Sequence, residues 1–359
     1  MGLQGLYILD TDAFDLIYGP AERADVARLI DVMAPQQTRF SILQNPHLLE
    51  QADVILSGWG APILTDHFLN HAPRLKGFFY GGGALGAVIS PSVWDRGLTL
   101  TSAIAANSIP VAEYTLSNIL FSLKHGWRLA RQTRELRTFV DRNTAPGCYG
   151  STVGLISLGA TARALLKLLA PFDVRVLGYD PFVTAAEAVE LGVELVSLEE
   201  LFRRSDAVSL HTPHLPETER LVTRPLLESM KFGATFINTA RAEIVEQDEM
   251  IEVATRRSDL QFVLDVTDPE PPAPDSPLYM LPNVVLTPHI AGSVGAECRR
   301  MGRAMVEELE RFIAGKPLRF AVSRGDAANT SHRPVAHRHN GETQTFVRSS
   351  VFAAAPSAG

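Results

Sequence analysis

VGLISLGATA, residues 153–162, is an apolar run that stops in a turn of small residues and leads into the helical pattern ARALLKLLA. A dinucleotide site needs three parts in that order: a strand, a turn whose backbone can approach a pyrophosphate, and a helix N-terminus aimed at the anion. Where such a turn reads G-x-G-x-x-G, this chain has Ser157, Gly159 and Ala162. Gly159 keeps the position at which backbone meets phosphate, and Ala162 still lets helix and strand pack closely. A side chain at Ser157 demands that the first turn position be reached with φ < 0. Alone, the stretch fits a plain strand-to-helix joint equally well. Asp180, 21 residues after Gly159 in VLGYDP, tips the balance, because a ribose needs an acid at the end of the next strand. An acid there repels a 2′-phosphate, so NAD is favoured over NADP.

Outward from this turn, residues 150 to 290 alternate β-branched runs with helical patterns: VGLISLG, ARALLKLLA, VRVLGYD, AVSLHTP, ATFINTAR, FVLDVTD and VVLTPHI. Such alternation predicts βαβ units, and nearly continuous apolar runs predict strands covered on both faces. A doubly wound parallel α/β sheet is the expected fold. Before it, LYILD, DVILSGW, GFFYGGG and LTLTSA read as strands and ERADVARLIDVM as a helix, which makes a second, smaller α/β body. Two long helical patterns, residues 108–137 and 293–315, flank the central block. If the second returns the chain to the first body, the cleft between bodies becomes the natural site.

The 359 residues are 46% hydrophobic, enough for two cores, and carry a net charge of −7. An acidic chain lacks the clustered cations of a nucleic-acid surface, so a small-molecule partner fits better. Two cysteines, Cys148 and Cys298, make no disulfide framework, and a reducing cytoplasm is the expected compartment. The N-terminus shows no signal-peptide pattern, and no uncharged apolar run reaches the roughly 20 residues of a membrane span. Residues 323–359 are polar, aperiodic and rich in Ser, Ala and Gly, and read as a disordered tail. Its His332, His337 and His339 have no Cys or carboxylate partners, so no metal site is expected.

Three residues stand at predicted strand ends: Arg241 in INTARAE, Glu270 in LDVTDPEPP and His289 in LTPHIAG. Singly, each has a plainer reading as a surface charge, a solvated loop acid and a capped turn. Beside a dinucleotide turn, they supply what reduction of a 2-oxo acid requires. An Arg fork binds the carboxylate and carbonyl oxygen. A His protonates the oxygen as hydride arrives, and a Glu beside it favours the protonated ring.

With these residues in view, the chain resembles the D-isomer-specific 2-hydroxyacid dehydrogenases over residues 5 to 320. The motifs that carry the likeness are STVGLISLG, NTAR, LDV followed by an E-P pair, NVVLTPHIAG and IPVAEYTL, with 29 residues from Arg241 to Glu270. The resemblance implies a Rossmann-type NAD domain, residues 107–290, inserted into a smaller flavodoxin-like substrate domain made of residues 1–106 and 291–322. It implies Arg241, Glu270 and His289 as the catalytic set and a homodimer as the assembly. The cofactor set is then Ser157, Leu158, Gly159, Ala160, Thr161, Asp180, His211, Thr212, Pro213, Thr239, Ala240, Asp265 and His289. Substrate contacts fall to Arg241, to the backbone of Gly82 and Gly83, and to Trp59, which reads equally well as a core residue.

Ala242, Thr267, Asp268 and Leu85 depart from the family pattern, as do Ser157 and Ala162. A glyoxylate- or hydroxypyruvate-reductase-like activity is the first expectation, with phosphoglycerate or phosphite dehydrogenase activity as alternatives. Formate dehydrogenases pair the His with Gln where this chain has Glu270. NADH-sensing transcriptional corepressors, which share the triad, are the alternative of another class.

Overall fold

The computed structural model describes residues 2–329. Two all-parallel sheets organise them. The first contains β1 (Gln4–Ile8), β2 (Asp31–Val32), β3 (Val54–Ser57), β4 (Gly77–Tyr80) and β5 (Thr99–Ser102), in the order β2-β1-β3-β4-β5. This is the flavodoxin order. The second contains β6 (Thr152–Ile156), β7 (Arg175–Tyr179), β8 (Glu194–Leu195), β9 (Ala207–Leu210), β10 (Thr235–Asn238), β11 (Gln261–Leu264) and β12 (Val284–Leu286). Its order, β12-β11-β10-β9-β6-β7-β8, is the doubly wound dinucleotide-fold order extended by one strand. The fold class read from the alternation of runs is the one observed. Strand order reverses between β9 and β6, and ligands bind at such a switch point.

The strands are buried for the reason their sequences suggest. Leu6, Ile8, Ile55, Phe78 and Leu100 pack together on one face of the first sheet, and Tyr7, Leu9, Leu56 and Phe79 on the other. The helix Cys298–Ile313 closes that second face with Met301, Met305, Val306 and Leu309. The chain therefore does return to the first body. Beyond the helix it pairs with β5: Ser102 N–H donates to Phe320 O and Val322 N–H to Leu100 O. The helix Ile104–Ser122 links the bodies, packing along both Ala160–Leu169 and Cys298–Ile313.

Four expectations need correction. The helix expected over ERADVARLIDVM stops at Leu29: Ile30 is extended, its side chain sits under Gly5, and Asp31 N–H bonds to Leu3 O, starting β2. Like β8, β2 has two residues, too few for a periodicity to register. The pattern over 108–137 is two helices, Ile104–Ser122 and Gly126–Leu136, broken at His125, whose φ is 50°. The expected tail does not begin at residue 323. Ser323 and Asp326 form a capping box, the helix Arg324–Ala328 follows, and Ala327 is buried. His332, His337 and His339 lie outside the described residues. Finally, Ser157 has φ 71°, the left-handed region, against the expectation of φ < 0.

At Gly302 the closing helix lies close against the first body: a Cβ there would stand 1.9 Å from Ile17 O. Alanine is the better helix former by about 1 kcal/mol, whereas overpacking costs about 1–3 kcal/mol and here meets backbone. Gly302→Ala is expected to lower stability, read as a reduced urea midpoint. An unchanged or raised midpoint would show that the contact yields.

Candidate active site

At the end of β6 the chain turns sharply. Ser157 N–H donates to Tyr179 O at 2.8 Å, which ties the turn to β7 and holds Ser157 left-handed. Its hydroxyl lies 2.9 Å from Thr212 Oγ1 on the loop after β9, a bond that glycine could not make. Asp180 braces the same turn: Oδ2 accepts from Leu158 N–H and Oδ1 from Phe182 N–H, both at 2.8 Å. Each carboxylate oxygen retains a second lone pair for a ribose hydroxyl. Leu158 contributes less than expected, since its side chain is in the core and its N–H is taken by Asp180.

Gly159 caps the ten-residue helix Ala160–Leu169, and a Cβ built on it meets nothing within 4 Å. That open space over a helix N-terminus suits a pyrophosphate. Ala162 is fully buried, as close helix–strand packing requires. Thr161 donates to Ser108 Oγ on the linking helix. Across the switch point, His211 N–H bonds to Ile156 O, while the buried Nε2 has no partner among the described residues. Burial pushes its pKa down to about 4, so the ring is neutral at pH 7. Pro213 O accepts from Thr218 Oγ1, and Thr239 Oγ1 lies 3.1 Å from Thr115 Oγ1. Ala240 N–H is held by Asn238 Oδ1. A crevice with a buried ring nitrogen unpartnered among the described residues and a braced acid fits a dinucleotide.

Between the two bodies opens a cavity of about 580 Å³. Arg241, His289, Asp265 and Thr239 line it from the second sheet, and Trp59 and Gly83 from the first. The Arg241 guanidinium donates to its neighbour's carbonyl, Ala240 O, at 2.6 Å, and makes no ion pair among the described residues. Burial pushes its pKa down, opposed by Glu243 and Glu270. A partly buried cation facing a cavity without a bonded carboxylate is an anion site in waiting.

His289 Nδ1 is 2.8 Å from Glu270 Oε1. Glu270 stands behind the ring, so Nε2 is the nitrogen left for the cavity. The loop carrying Glu270 is clamped to the start of the helix Gln247–Arg256: Asp268 N–H donates to Gln247 Oε1 and Gln247 Nε2 to Asp268 O. Asp265, 2% exposed, accepts from Thr287 Oγ1 at 2.6 Å and from the N–H groups of Ile290 and Ala291. Burial raises its pKa despite these donors.

The first body's candidates separate. Gly83 lines the cavity with Ala84, and the N–H groups of both find no acceptor among the described residues. Gly82 is buried, and the Ser102 hydroxyl donates to the carbonyls of both Gly82 and Gly83. Trp59 fills both of its readings: it packs against the core around Leu9 and Leu56, and it lines the cavity. Leu85 is a core residue. Sequence reasoning missed Tyr80, whose hydroxyl burial pushes up to about 12 against the field of Arg241. It also missed Asn107, whose Oδ1 accepts from Ser293 N–H, and Arg39 with Phe40. An aromatic inside GFFYGGG looks like core, and nothing in TRFSIL points to a cleft.

Residues 116–291 match the family described as D-isomer specific 2-hydroxyacid dehydrogenase, NAD binding domain. The D-3-phosphoglycerate dehydrogenase of Archaeoglobus fulgidus is 32% identical over 229 residues, 64% of this chain and 44% of that protein. The hydroxypyruvate reductase of Thermotoga maritima is 27% identical over 264 residues, 73% of this chain and 85% of that protein. The chain spans about half the length of the D-3-phosphoglycerate dehydrogenases it matches. Among solved structures, Rhodotorula graminis D-mandelate dehydrogenase superposes with a TM-score of 0.74 at 23% identity, over 90% of this chain and 98% of that one. No helix among the described residues is long and apolar enough to cross a membrane.

The left-handed Ser157 separates two substitutions. Glycine relieves about 1–2 kcal/mol of backbone strain while losing a hydrogen bond of about 1 kcal/mol; alanine loses the bond and keeps the strain. Ser157→Ala should therefore lower the melting temperature more than Ser157→Gly does. The reverse order would show that the unfolded-state entropy added by glycine outweighs the strain it relieves.

Proposed function

Since the chain belongs to the D-isomer-specific 2-hydroxyacid dehydrogenase family, we propose that it interconverts a 2-oxo acid and a D-2-hydroxy acid with NAD as its redox partner. One observation carries the reading: a guanidinium with no ion pair among the described residues and a Glu-backed imidazole face the same cavity beside a dinucleotide crevice. The substrate carboxylate binds the Arg241 fork and the amides of Gly83 and Ala84, replacing water around a cation that lacks an ionic partner. His289, protonated, donates the Nε2 proton to the substrate's carbonyl oxygen. Glu270 stabilises the imidazolium and, once the ring is neutral, keeps the remaining proton on Nδ1. The nicotinamide, when bound, supplies the hydride to C2. In reverse, neutral His289 takes the hydroxyl proton.

Ser157, Gly159, Ala160 and Thr161 would hold the pyrophosphate and Asp180 the adenosine ribose. His211, Thr212, Pro213, Thr239, Ala240 and Asp265 would border the nicotinamide end. Residues 107–290 would form the cofactor domain, inserted into a substrate domain of residues 1–106 and 291–322. A homodimer is supported by the apolar groups left bare on and after the helix Gly126–Leu136: Leu136, Phe139 and Tyr149 are 64%, 94% and 86% exposed. Two free thiols support a reducing, cytoplasmic setting.

NADH oxidation by a panel of 2-oxo acids tests the proposal; no turnover with any acid would reject it. His289→Ala should lower kcat by roughly 10²- to 10⁴-fold with little change in NADH affinity. Arg241→Lys should recover only part of the substrate recognition lost in Arg241→Ala, for want of a fork. If Asp180 takes the ribose, NADPH should be at least about tenfold less efficient than NADH, and equal efficiency would remove that role.

A further inference from the structure

Within the proposed reaction, most directions around C2 of the acid are committed. The carboxylate takes Arg241 and the Gly83 and Ala84 amides, the oxygen takes His289, and one face must stay open to the nicotinamide. The remaining substituent can point only at the wall built by the first body's loops. On that wall and its rim stand Leu16, Phe40, Trp59, Ile63 and Val294. They come from separate segments of the chain, yet meet at one opening. Leu16, Phe40, Ile63 and Val294 are 37%, 58%, 56% and 49% exposed. Large apolar groups gathered bare around a single mouth form a patch suited to a ligand.

Charge on this wall does not favour a second anion. Asp10 and Arg39 both line the cavity and offset each other in sign. The Arg39 guanidinium carbon lies 4.9 Å from the Phe40 ring centroid, so the cation stacks on the ring and braces it. Gly60, at φ 78°, brings the Asp10 carboxylate close, since a Cβ there would stand 2.0 Å from Asp10 Cγ. A phosphoryl dianion in this space would meet that carboxylate.

We infer that the substrate is a 2-oxo acid with a bulky apolar 2-substituent, best an aromatic one, selected by Phe40, Trp59 and Ile63. This rests on the dehydrogenase reading above and sets the chain apart from relatives named for phosphoglycerate. The test is steady-state NADH oxidation with phenylpyruvate, glyoxylate, hydroxypyruvate and 3-phosphohydroxypyruvate. Phenylpyruvate should have the highest kcat/KM, by roughly 10- to 100-fold. Phe40→Ala combined with Ile63→Ala should lower the phenylpyruvate-to-glyoxylate ratio about tenfold, mainly through KM. Both side chains are more than half exposed, so the core survives the change. Calorimetry on wild-type protein with NAD should show 3-phenylpropanoate binding more tightly than propanoate. Best turnover of glyoxylate, hydroxypyruvate or the phosphorylated acid would overturn the inference and leave the dehydrogenase reading standing. Failure of all four acids would overturn both.

Discussion

The carboxylate of Asp265 is the point on which the arrangement of the proposed site hangs. It leaves the end of β11 almost fully buried and accepts three hydrogen bonds from the loop after β12, through Thr287 Oγ1, Ile290 N–H and Ala291 N–H. Burying a carboxylate is costly unless its lone pairs are filled, so the loop must keep the shape that fills them. That shape includes a left-handed His289, at φ 54°, a backbone conformation that a non-glycine residue holds only when its surroundings over-determine it. The same carboxylate thus aims the imidazole and directs residues 291 onward back to the first body.

From that anchor the electrostatics follow. His289 is backed by Glu270 on one side and open to the cavity on the other. Arg241 reaches the cavity from the next strand over, its backbone held by Asn238 Nδ2 bonding to Arg241 O. The protein spends its acids on holding loops: Asp265 and Asp180 bond to backbone amides, and Glu270 holds a ring. The Arg241 guanidinium bonds to Ala240 O and makes no ion pair among the described residues. A site with one unmatched cation and one tunable proton donor is matched to an anion that carries a carbonyl.

Much of the proposed site was legible in the sequence because ligands of open α/β sheets meet the ends of strands. Arg241, Glu270 and His289 follow β10, β11 and β12, and a strand's end can be read from where its apolar run stops. The tight turn after β6 was legible for the same reason, although the backbone at Ser157 was misjudged. Its left-handed φ depends on the bonds to Tyr179 O and Thr212 Oγ1, and neither partner is local. Gly82 and Gly83 look alike in sequence, and the Ser102 hydroxyl bonds to both carbonyls, yet of the two Gly83 is the one that lines the cavity.

By itself the sequence determined the alternation of elements, hence two parallel sheets, and the residue types at the strand ends, on which the proposed reaction rests. These are properties of hydrophobic period and residue type, which act over a few residues. Tertiary structure alone decided what the substrate's remaining substituent would meet. Leu16, Phe40, Ile63 and Val294 carry no shared pattern, and their convergence on one mouth depends on the helix Cys298–Ile313 bringing residues after 291 back onto the first sheet. Contacts between segments that far apart are set by packing of the whole body, and no local period encodes them.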